Sequence, residues 1–335
     1  MLFMKVPPHT TVRDVAVQGS NQNITWEIGA AEEGGRLETF VRRHLPHLSR
    51  SQCAKAIDES AFLVNDRRAT KGQRLKQGDQ VIFKGPRHWL FDLPLAAVSE
   101  RVSVIHEDAE IIAIDKPAGI PTHGFSARDV DTLANFIVAR WPELSSVGRS
   151  RWEPGLLNRL DTETSGLVLV AKNQPAFDNL REQFRGRHVI KKYIVLVWGD
   201  VASSGSISLA LAHHPTDKSR MQVVSEFGSV RRRLRSWHAL TRFRKVAGSG
   251  EMSLLEVAMQ TGVTHQIRVH LAATGHAIVG DSLYASEHDP TDLERHFLHA
   301  SRLEFAHPAN RRSMVVESPL RPELSSFLKR MKIVA

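Results

Sequence analysis

The stretch that most constrains the fold is GLLNRLDTETSGLVLVAKN, residues 155–173. Its apolar, partly β-branched end, residues 167–170, is typical of a buried strand. Just before this strand, the polar turn at residues 161–166 begins with Asp161. An aspartate in that place can shape the chain, by capping the turn through its side-chain oxygen, or it can present a carboxylate to a substrate.

The rest of the chain predicts an α+β protein. Its 335 residues suggest a large and a small domain. From residue 101, strand-like runs such as EIIAIDKP and YIVLVWG are interleaved with helix-like pieces such as TLANFIVARWPE and PAFDNLREQFRG, without a regular βαβ rhythm. This favours a mixed, mostly antiparallel sheet in a domain over residues 101–335. We expect loops at 202–206 and 247–250, a small α+β domain at 34–85, an N-terminal extension at 1–33 with a turn at 19–21, and a linker at 86–100.

Charge and cysteine content narrow the class of protein. With a net charge of +9 and no apolar run long enough to span a membrane, a polyanion is the default partner, nucleic acid first. A merely solvated basic surface is the plainer alternative. The single cysteine, Cys53, cannot form an internal disulfide, and no Cys-x-x-Cys is present to hold zinc. We expect Cys53 to be a buried helix residue, and the protein to lie in a reducing cytoplasm without a signal or transit peptide.

Residues 34–85 predict two short helices and a hairpin. In GRLETFVRRHLP, apolar residues recur at helical spacing until Pro46, and SQCAKAIDE suits a second helix capped by Ser49 or Ser51. AFLVNDRRA predicts a strand that enters a tight turn at Asn65 and Asp66, and RLKQGDQVIFKG a second strand. Basic residues cover the helices and turns: Arg36, Arg42, Arg43, Arg50, Lys55, Arg67, Arg68, Lys71, Arg74 and Lys76. This surface can bind a phosphate backbone, or simply keep a small domain soluble.

Residues 35–83 resemble the S4 RNA-binding domain. The similarity lies in the RL opening, the SRSQ helix start, the VN turn and the GD that precedes the closing strand. The resemblance implies binding of structured RNA through its shape and backbone. It makes Arg36, Arg50, Arg67 and Arg68 candidate RNA-binding residues.

Motifs of hydrolases, kinases and metalloenzymes are missing from the sequence. The chain has neither GxxxxGK[ST] nor a GxGxxG that opens a helix after a strand. His265 and His270 have the wrong spacing for a zinc pair on one helix face, and VTHQIRVHL alternates like a strand, which would place them on opposite faces. Ser165 lacks the glycine two positions earlier that a nucleophile elbow requires. Asp161 remains as the candidate, and locally a turn-capping role is favoured.

Five blocks of sequence place Asp161 in a wider context. LLNRLDTETSGLVLVAKN resembles the signature of RluA-type pseudouridine synthases, in which an RLD-x-x-TSG-L segment carries the catalytic aspartate. Four other blocks resemble further segments of that family: IIAIDKPAGIPTH, KKYIVLVWG, TGVTHQIRVHLAATGHAIVGDSLY and LHASRLEFAHP. The five blocks stand in the right order over most of residues 101–328. An S4-like domain in front of them is a usual arrangement in the family.

The resemblance implies an RNA isomerase that needs no redox partner, ATP, metal or other cofactor. Pseudouridylation breaks the N1–C1′ bond of a uridine, turns the base and rejoins it through C5. An ionised carboxylate must attack C1′ or C6, or take the 2′ proton, and Asp161 matches that group. Arg268 matches the guanidinium that favours the charged carboxylate. Tyr193 matches a ring that stacks on the flipped base and a hydroxyl that helps to move the C5 proton.

Other matched residues have less specific expected roles. Arg159, beside Asp161, is expected to fill the space of an extruded uridine or to hold a flanking phosphate, with a plain salt bridge as the alternative. Without the resemblance, Tyr193 would be a core residue and Arg268 a surface cation on a strand. The remaining matches are expected to be mainly structural: Lys116, Asp281, Tyr284 and His299.

Two departures affect the expected substrate. Asn158 stands where the family usually has His, and Val263 where it usually has Arg. We expect ribosomal RNA as the substrate, because the basic S4-like module suits large folded RNA, with tRNA second. We further expect a monomer without DNA or membrane partners. The rivals are a non-catalytic RNA-binding or ribosome-assembly protein on the same fold and, more weakly, a nucleoside or glycoside hydrolase, for which only Glu163 is near as a second carboxylate.

Overall fold

The structure, a computed structural model, describes residues 4–5, 24–45, 48, 50–85, 94, 97, 99–124, 129–150, 152–224, 235–285 and 291–333. It divides the chain into a small unit, residues 1–95 with 124–130, and a large unit, residues 96–123 with 131–335. The described residues form six α-helices and two sheets, so the predicted α+β class is confirmed. None of these helices is long and apolar enough to cross a membrane.

The small unit is a five-stranded sheet with two helices, counted over its described residues. The strands follow the order β1-β2-β5-β3-β4. Their bounds are Met4–Lys5 (β1), Ile24–Glu27 (β2), Phe62–Val64 (β3), Arg67–Arg68 (β4) and Gln80–Phe83 (β5); the helices are Leu37–His44 (α1) and Arg50–Asp58 (α2). Asn65 and Asp66 form the predicted turn, both with positive φ, as a two-residue hairpin turn requires. Cys53 is buried on α2.

Part of the N-terminal segment belongs to the small unit. Strand β2 pairs antiparallel with β5, and its Ile24 and Trp26 are buried in the same apolar cluster as Leu37 and Phe62. The expected turn at residues 19–21 and most of the expected linker at 86–100 lie outside the described residues.

The large unit is built on a mixed sheet that has ten strands in the described part of the chain. Its order is β11-β10-β12-β13-β9-β14-β8-β7-β6, with β15 beside β14. The strands are Ser103–Glu107 (β6), Ile111–Lys116 (β7), Ser165–Ala171 (β8), Ile190–Trp198 (β9), Ser204–His213 (β10), Met221–Val224 (β11), Ser236–Gly248 (β12), Met252–Met259 (β13), Leu298–Ala306 (β14) and Ser313–Glu317 (β15). Every pairing among them is antiparallel except that of β14 with β8. The helices are Leu133–Arg140 (α3), Gln174–Arg185 (α4), Gln266–Ala273 (α5) and Pro322–Arg330 (α6).

Strand β8, predicted from its apolar run, is buried along its whole length. Val168 and Val170 belong to one apolar cluster, whereas Leu167 and Leu169 belong to another. Because successive side chains of a strand point to opposite faces, both faces of the sheet are covered here. The polar turn that carries Asp161 therefore leads into one of the most buried strands of the large unit.

Helix α5 corrects one expectation from the sequence. VTHQIRVHL was expected to alternate as a strand, but residues 266–273 are helical and His265 precedes them with a left-handed φ of 55°. Residues 266–271 are all buried, so the helix has no exposed polar face to give the sequence a helical period. The two expected loops are also partly strand, since β10 begins at Ser204 and β12 extends to Gly248.

Candidate active site

The backbone on either side of Asp161 is held by hydrogen bonds from the segment that follows β7. The hydroxyl of Thr122 donates to the carbonyl of Leu160 at 2.7 Å. The ammonium of Lys116 donates to the carbonyl of Thr162 at 3.0 Å. The side chain of Asp161 keeps 27% of its surface exposed. The carboxylate is thus presented on a fixed backbone and remains reachable from solvent.

Lys116 satisfies its buried ammonium entirely with carbonyl oxygens. Besides Thr162, it donates to Pro117 at 2.9 Å and to Ile120 at 2.7 Å. Burial lowers the pKa of Lys116 to about 7, although the charges of Asp161 and Glu163 act to raise it. These contacts agree with the structural role expected for Lys116.

Arg268 joins two carboxylates. Its Nη1 donates to Oδ2 of Asp161 at 3.1 Å, while its Nε and Nη2 each donate to Asp281 at 2.8 Å. Asp281 also accepts the backbone N–H groups of Leu283 and Tyr284. Burial acts to raise the pKa of Asp281, but the bonds from Arg268 outweigh it and the pKa is lowered. The bidentate pair with Asp281 fixes the guanidinium that faces Asp161.

A second group, His265, also faces Asp161. Its Nε2 lies 3.7 Å from Oδ2 of Asp161, and its Nδ1 lies 2.8 Å from the hydroxyl of Tyr284. That hydroxyl accepts the backbone N–H of Met221 at 2.7 Å, so its own hydrogen is available to His265 Nδ1. Burial lowers the pKa of His265, although the charge of Asp161 acts to raise it. A neutral imidazole with its hydrogen on Nε2, directed at Asp161, satisfies all of these contacts.

Tyr193 lies on β9, between its neighbours Val257 on β13 and Ala300 on β14. Its side chain is buried and lines the same cleft as Asp161. Burial, and then the negative charge of Asp161, raise the pKa of Tyr193 above its usual range. The phenol hydroxyl therefore keeps its proton.

The cleft around these groups has a volume of about 930 Å³. Among the residues described, seven basic side chains line it: Arg149, Arg159, Arg181, Arg185, Arg187, Lys191 and Arg268. The acidic side chains of the lining are Glu153 and Asp161. A cleft with this excess of positive charge suits a polyanion. The described residues contain no group of three or more His, Cys, Asp or Glu side chains that could hold a metal ion.

The structure brings four of the predicted site residues together. Asp161, Tyr193, Arg268 and Arg159 all line the cleft. Arg159 is 52% exposed, and its Nη1 lies 3.5 Å from Glu153 and 2.8 Å from Nε2 of His123. The other predicted residues, Arg36, Arg50, Arg67 and Arg68, belong to the small unit and are exposed on its surface.

Two site residues were missed or undervalued from the sequence. Asp281 was expected to be mainly a turn former, and His265 was considered only as half of a zinc pair. The signal for both was their place in the block that also carries Arg268, but sequence alone does not say which side chains within a block meet.

The two departures from the family pattern have defined surroundings. The amide of Asn158 donates to the carbonyl of Leu167 at 3.1 Å and accepts from the N–H of Leu169 at 2.8 Å. Asn158 thus bonds to the backbone of β8. Val263 packs against the apolar cluster that contains Val269 of α5 and lines the cleft.

Comparisons with known proteins identify the family. Residues 110–273 match a family model described as RNA pseudouridylate synthase, and residues 35–81 match one described as S4 domain. The chain is 32% identical, over 88% of each chain, to an uncharacterized RNA pseudouridine synthase of Synechocystis sp.. The chain belongs to the RNA pseudouridine synthase family. Within that family it is of the RluA type with an N-terminal S4 domain, as the sequence predicted, and it is an isomerase that acts on RNA.

Further relatives include enzymes named for the ribosome. The pseudouridine synthase is 32% identical to ribosomal large subunit pseudouridine synthase D of Neisseria meningitidis serogroup A, over 90% of this chain and 80% of the relative. It is 31% identical to the protein of the same name from Nitrosomonas europaea, over 95% and 92%. Among solved structures, the human RNA pseudouridylate synthase domain containing 1 is similar, with a TM-score of 0.55 and 25% identity over 69% of this chain and 90% of that one.

Proposed function

We propose that this pseudouridine synthase modifies ribosomal RNA, with Asp161 as the essential carboxylate on a uridine flipped into the cleft. The observation that carries this is the contact of 3.1 Å between Arg268 Nη1 and Asp161 Oδ2 in a cleft that also contains Tyr193. The substrate class is supported by the relatives named ribosomal large subunit pseudouridine synthase D.

The geometry at Asp161 suits a carboxylate that reacts at a nucleoside. Arg268 and His265 both approach Oδ2, while Oδ1 accepts no hydrogen bond from the described residues. One oxygen therefore orients the group and the other is available to the substrate. The positive charge of Arg268 also keeps the carboxylate ionised, as either attack or proton abstraction requires.

Tyr193 is suited to contact the flipped base and to move its C5 proton. A ring in the cleft lining can stack on a uracil, and a hydroxyl that keeps its proton can donate a hydrogen bond or exchange a proton with C5. Both roles need the base to leave the RNA stack, because the cleft is lined on all sides by protein.

Arg159 is positioned to contact the RNA beside the flipped nucleotide. Its exposed side chain lines the cleft two residues before Asp161. Its contacts to His123 and Glu153 are made by one nitrogen, Nη1, so the rest of the guanidinium can fill the space that the uridine vacates or bind a phosphate.

The arginines of the small unit supply further RNA contacts in this proposal. Arg36, Arg50 and Arg67 have no ion pair with a described carboxylate, whereas Arg68 donates to the carbonyl of Asp58 at 2.6 Å. We infer that the first three bind phosphates and that Arg68 acts partly through this tether. A monomer that binds RNA and not DNA remains part of the proposal.

Two alternatives lead to different outcomes. A tRNA pseudouridine synthase would use the same site on another RNA. A non-catalytic RNA-binding or ribosome-assembly protein would have no need for the arrangement of Asp161, Arg268 and Tyr193.

The test is release of tritium from RNA labelled at C5 of uridine, because the new glycosidic bond replaces that hydrogen. Native protein and an Asp161→Asn variant are compared on ribosomal RNA, with tRNA as second substrate. We expect release from ribosomal RNA by native protein and a loss of about 10⁴-fold or more in the variant, since the essential group is removed. Release from tRNA alone would replace the proposed substrate, and tight binding without release from either RNA would leave only the RNA-binding alternative.

A further inference from the structure

Lys191 lies in the cleft but has no part in the chemistry described above. It stands on β9 two positions before Tyr193, so both side chains point to the same face of the sheet. Both line the cleft, and two residues of a strand span about 7 Å. This is the scale of one nucleotide, so a group that touches Lys191 can be attached to a uridine that touches Tyr193.

The contacts of Lys191 leave a buried cation incompletely satisfied. Only 8% of the residue is exposed, its Nζ donates to the carbonyl of Thr261 at 2.9 Å, and it lies 6.0 Å from the ring centroid of Phe184. An ammonium has three hydrogens to donate, yet no described carboxylate forms an ion pair with it. The neighbouring Lys192, by contrast, lies 3.5 Å from Oε1 of Glu256.

Lys116 shows how this chain satisfies a buried lysine with a structural role. Its ammonium has three carbonyl partners and is remote from any need for a ligand. Lys191 has one such partner and faces a cleft. Because a buried charge is unfavourable unless it is paired, the remaining donors of Lys191 suit an anion that enters the cleft.

The surroundings of Lys191 favour an anion as its partner. Burial lowers the pKa of Lys191 to about 8, and no other cause contributes. The charged side chains on the elements around it are Arg181 and Arg185 of α4, Arg187 beyond its end, His265 before α5, His238 on β12, Glu256 on β13, and Arg302 and Glu304 on β14. The two carboxylates of this set are bound to other cations, Glu256 to Lys192 and Arg244, and Glu304 to Arg302.

We propose that Lys191 binds a phosphodiester group of the substrate RNA next to the target uridine. Arg181, Arg185 and Arg187 are exposed and line the same cleft, so they can guide the backbone on either side of this phosphate. The inference rests on the proposed function, in which the uridine enters the cleft at Asp161. It assigns Lys191 a role in binding, separate from the reaction at the base.

The experiment measures binding of a short fluorescent oligouridylate, which presents phosphates whatever the natural target is. Full-length native protein is compared with Lys191→Met and Lys191→Arg, and with Lys192→Met as the matched control. We expect Lys191→Met to weaken binding about tenfold, as a charge-assisted hydrogen bond is lost. The slope of log K against log salt should become shallower by about 0.7. Lys191→Arg and Lys192→Met should bind as native protein does.

The pH dependence separates Lys191 from the arginines. Bound phosphate favours the charged amine, so affinity should be constant below the pKa of about 8 and fall as the pH rises above it. This fall should be absent in Lys191→Arg. A structural role for Lys191, through Thr261, would instead lower the melting temperature in Lys191→Met and leave the salt slope unchanged.

The outcomes for Lys191 and for the proposed function are distinguishable. If Lys191→Met binds oligouridylate with native affinity and salt slope, the phosphate site is wrong, whatever RNA the enzyme modifies. If native protein releases no tritium from ribosomal RNA but Lys191→Met still binds oligouridylate weakly, the phosphate site stands and the ribosomal substrate falls.

Discussion

At the scale of residues, the site depends on an unequal sharing of one guanidinium. Asp281, whose side chain has no exposed surface, takes two bonds from Arg268, whereas the partly exposed Asp161 takes one. The buried pair fixes Arg268, because both its geometry and its charge are satisfied there. Asp161 is then oriented by a cation that has no freedom to follow it. This makes Asp281 a positioning residue for the reactive carboxylate.

The two tyrosines of the chain offer a matched pair of substitutions. Tyr193→Phe keeps the ring but removes the hydroxyl that can move a proton, so we expect kcat to fall about 100-fold or more. RNA affinity should be unchanged, since the ring remains. The measurement is single-turnover tritium release at saturating RNA, together with binding of the same RNA.

Tyr284→Phe is the control for this prediction. It removes the hydrogen bonds to His265 and Met221 but leaves the ring beside Arg268. We expect a smaller loss, about tenfold or less, because His265 is loosened and not removed. Equal kcat for native protein and Tyr193→Phe would show that the hydroxyl has no role in the chemistry.

The sequence predicted the central pair of this site but not its supporting groups. Asp161 and Arg268 were placed together by the family resemblance, and the structure has them in contact. Asp281 is 13 positions from Arg268 in the chain, and a Gly-Asp pair is equally typical of a turn. The role of His265 depends on the left-handed conformation before α5, which no periodicity announces.

At the scale of elements, the parallel pairing of β8 with β14 fixes the turn that carries Asp161. Gly166 of β8 pairs with Ala300 of β14 and has a φ of 113°. A Cβ at Gly166 would lie 2.2 Å from the carbonyl oxygen and 2.7 Å from the nitrogen of Ala300. Both are backbone atoms of a strand paired on both sides, so they cannot move aside. The glycine lets the two strands approach closely enough to pair.

Gly166→Ala should therefore be strongly destabilising. The left-handed φ costs about 1 kcal/mol for a residue with a Cβ, and the overlap adds about 1–3 kcal/mol. A melting temperature lower by roughly 5–10 °C is expected for a domain of this size. Tritium release should also fall, because a displaced β8 moves the turn before it. Thermal unfolding followed by circular dichroism tests the first effect.

Gly250→Ala provides the comparison, since Gly250 has a φ of 83° and nothing within 4 Å of its added Cβ. Only the conformational cost applies there, so the melting temperature should fall by a few degrees at most. If both variants melt alike, close packing of β8 on β14 does not control stability.

The elements differ in how far the sequence revealed them. β8 and α4 were predicted because an unbroken apolar run and a clear helical period are unambiguous signals. α5 was not, because burial of residues 266–271 removes the polar positions that would separate a helix from a strand. The strand content of residues 204–206 was missed because serine and glycine there are typical of loops.

At the scale of the whole molecule, binding and chemistry are assigned to different units. The apolar cluster of the small unit contains only its own residues, and the clusters of the large unit do likewise. Each unit therefore has its own core. Exposed arginines of the small unit can be replaced without touching the cleft, which makes the division of labour testable in the full chain.

A triple variant, Arg36→Ala, Arg50→Ala and Arg67→Ala, should weaken binding of ribosomal RNA and leave catalysis intact. Each lost phosphate contact makes the slope of log K against log salt shallower by about 0.9 on duplex RNA, taking the value for duplex DNA, so a change of about 2–3 is expected. KM should rise and kcat at saturating RNA should stay constant, because Asp161, Arg268 and Tyr193 are unaltered. The three side chains are exposed, so the melting temperature should also be unchanged.

Arg330→Ala on α6 removes the same kind of charge from the large unit, where Arg330 is 53% exposed and pairs with Asp292. It should leave KM and the salt slope as in native protein, because it lies on neither predicted RNA-binding surface. If the triple variant and Arg330→Ala changed the salt slope equally per charge, overall charge would account for binding and the small unit would have no specific role. If the triple variant instead lowered kcat, the small unit would take part in presenting the uridine, and binding and chemistry would not be separable.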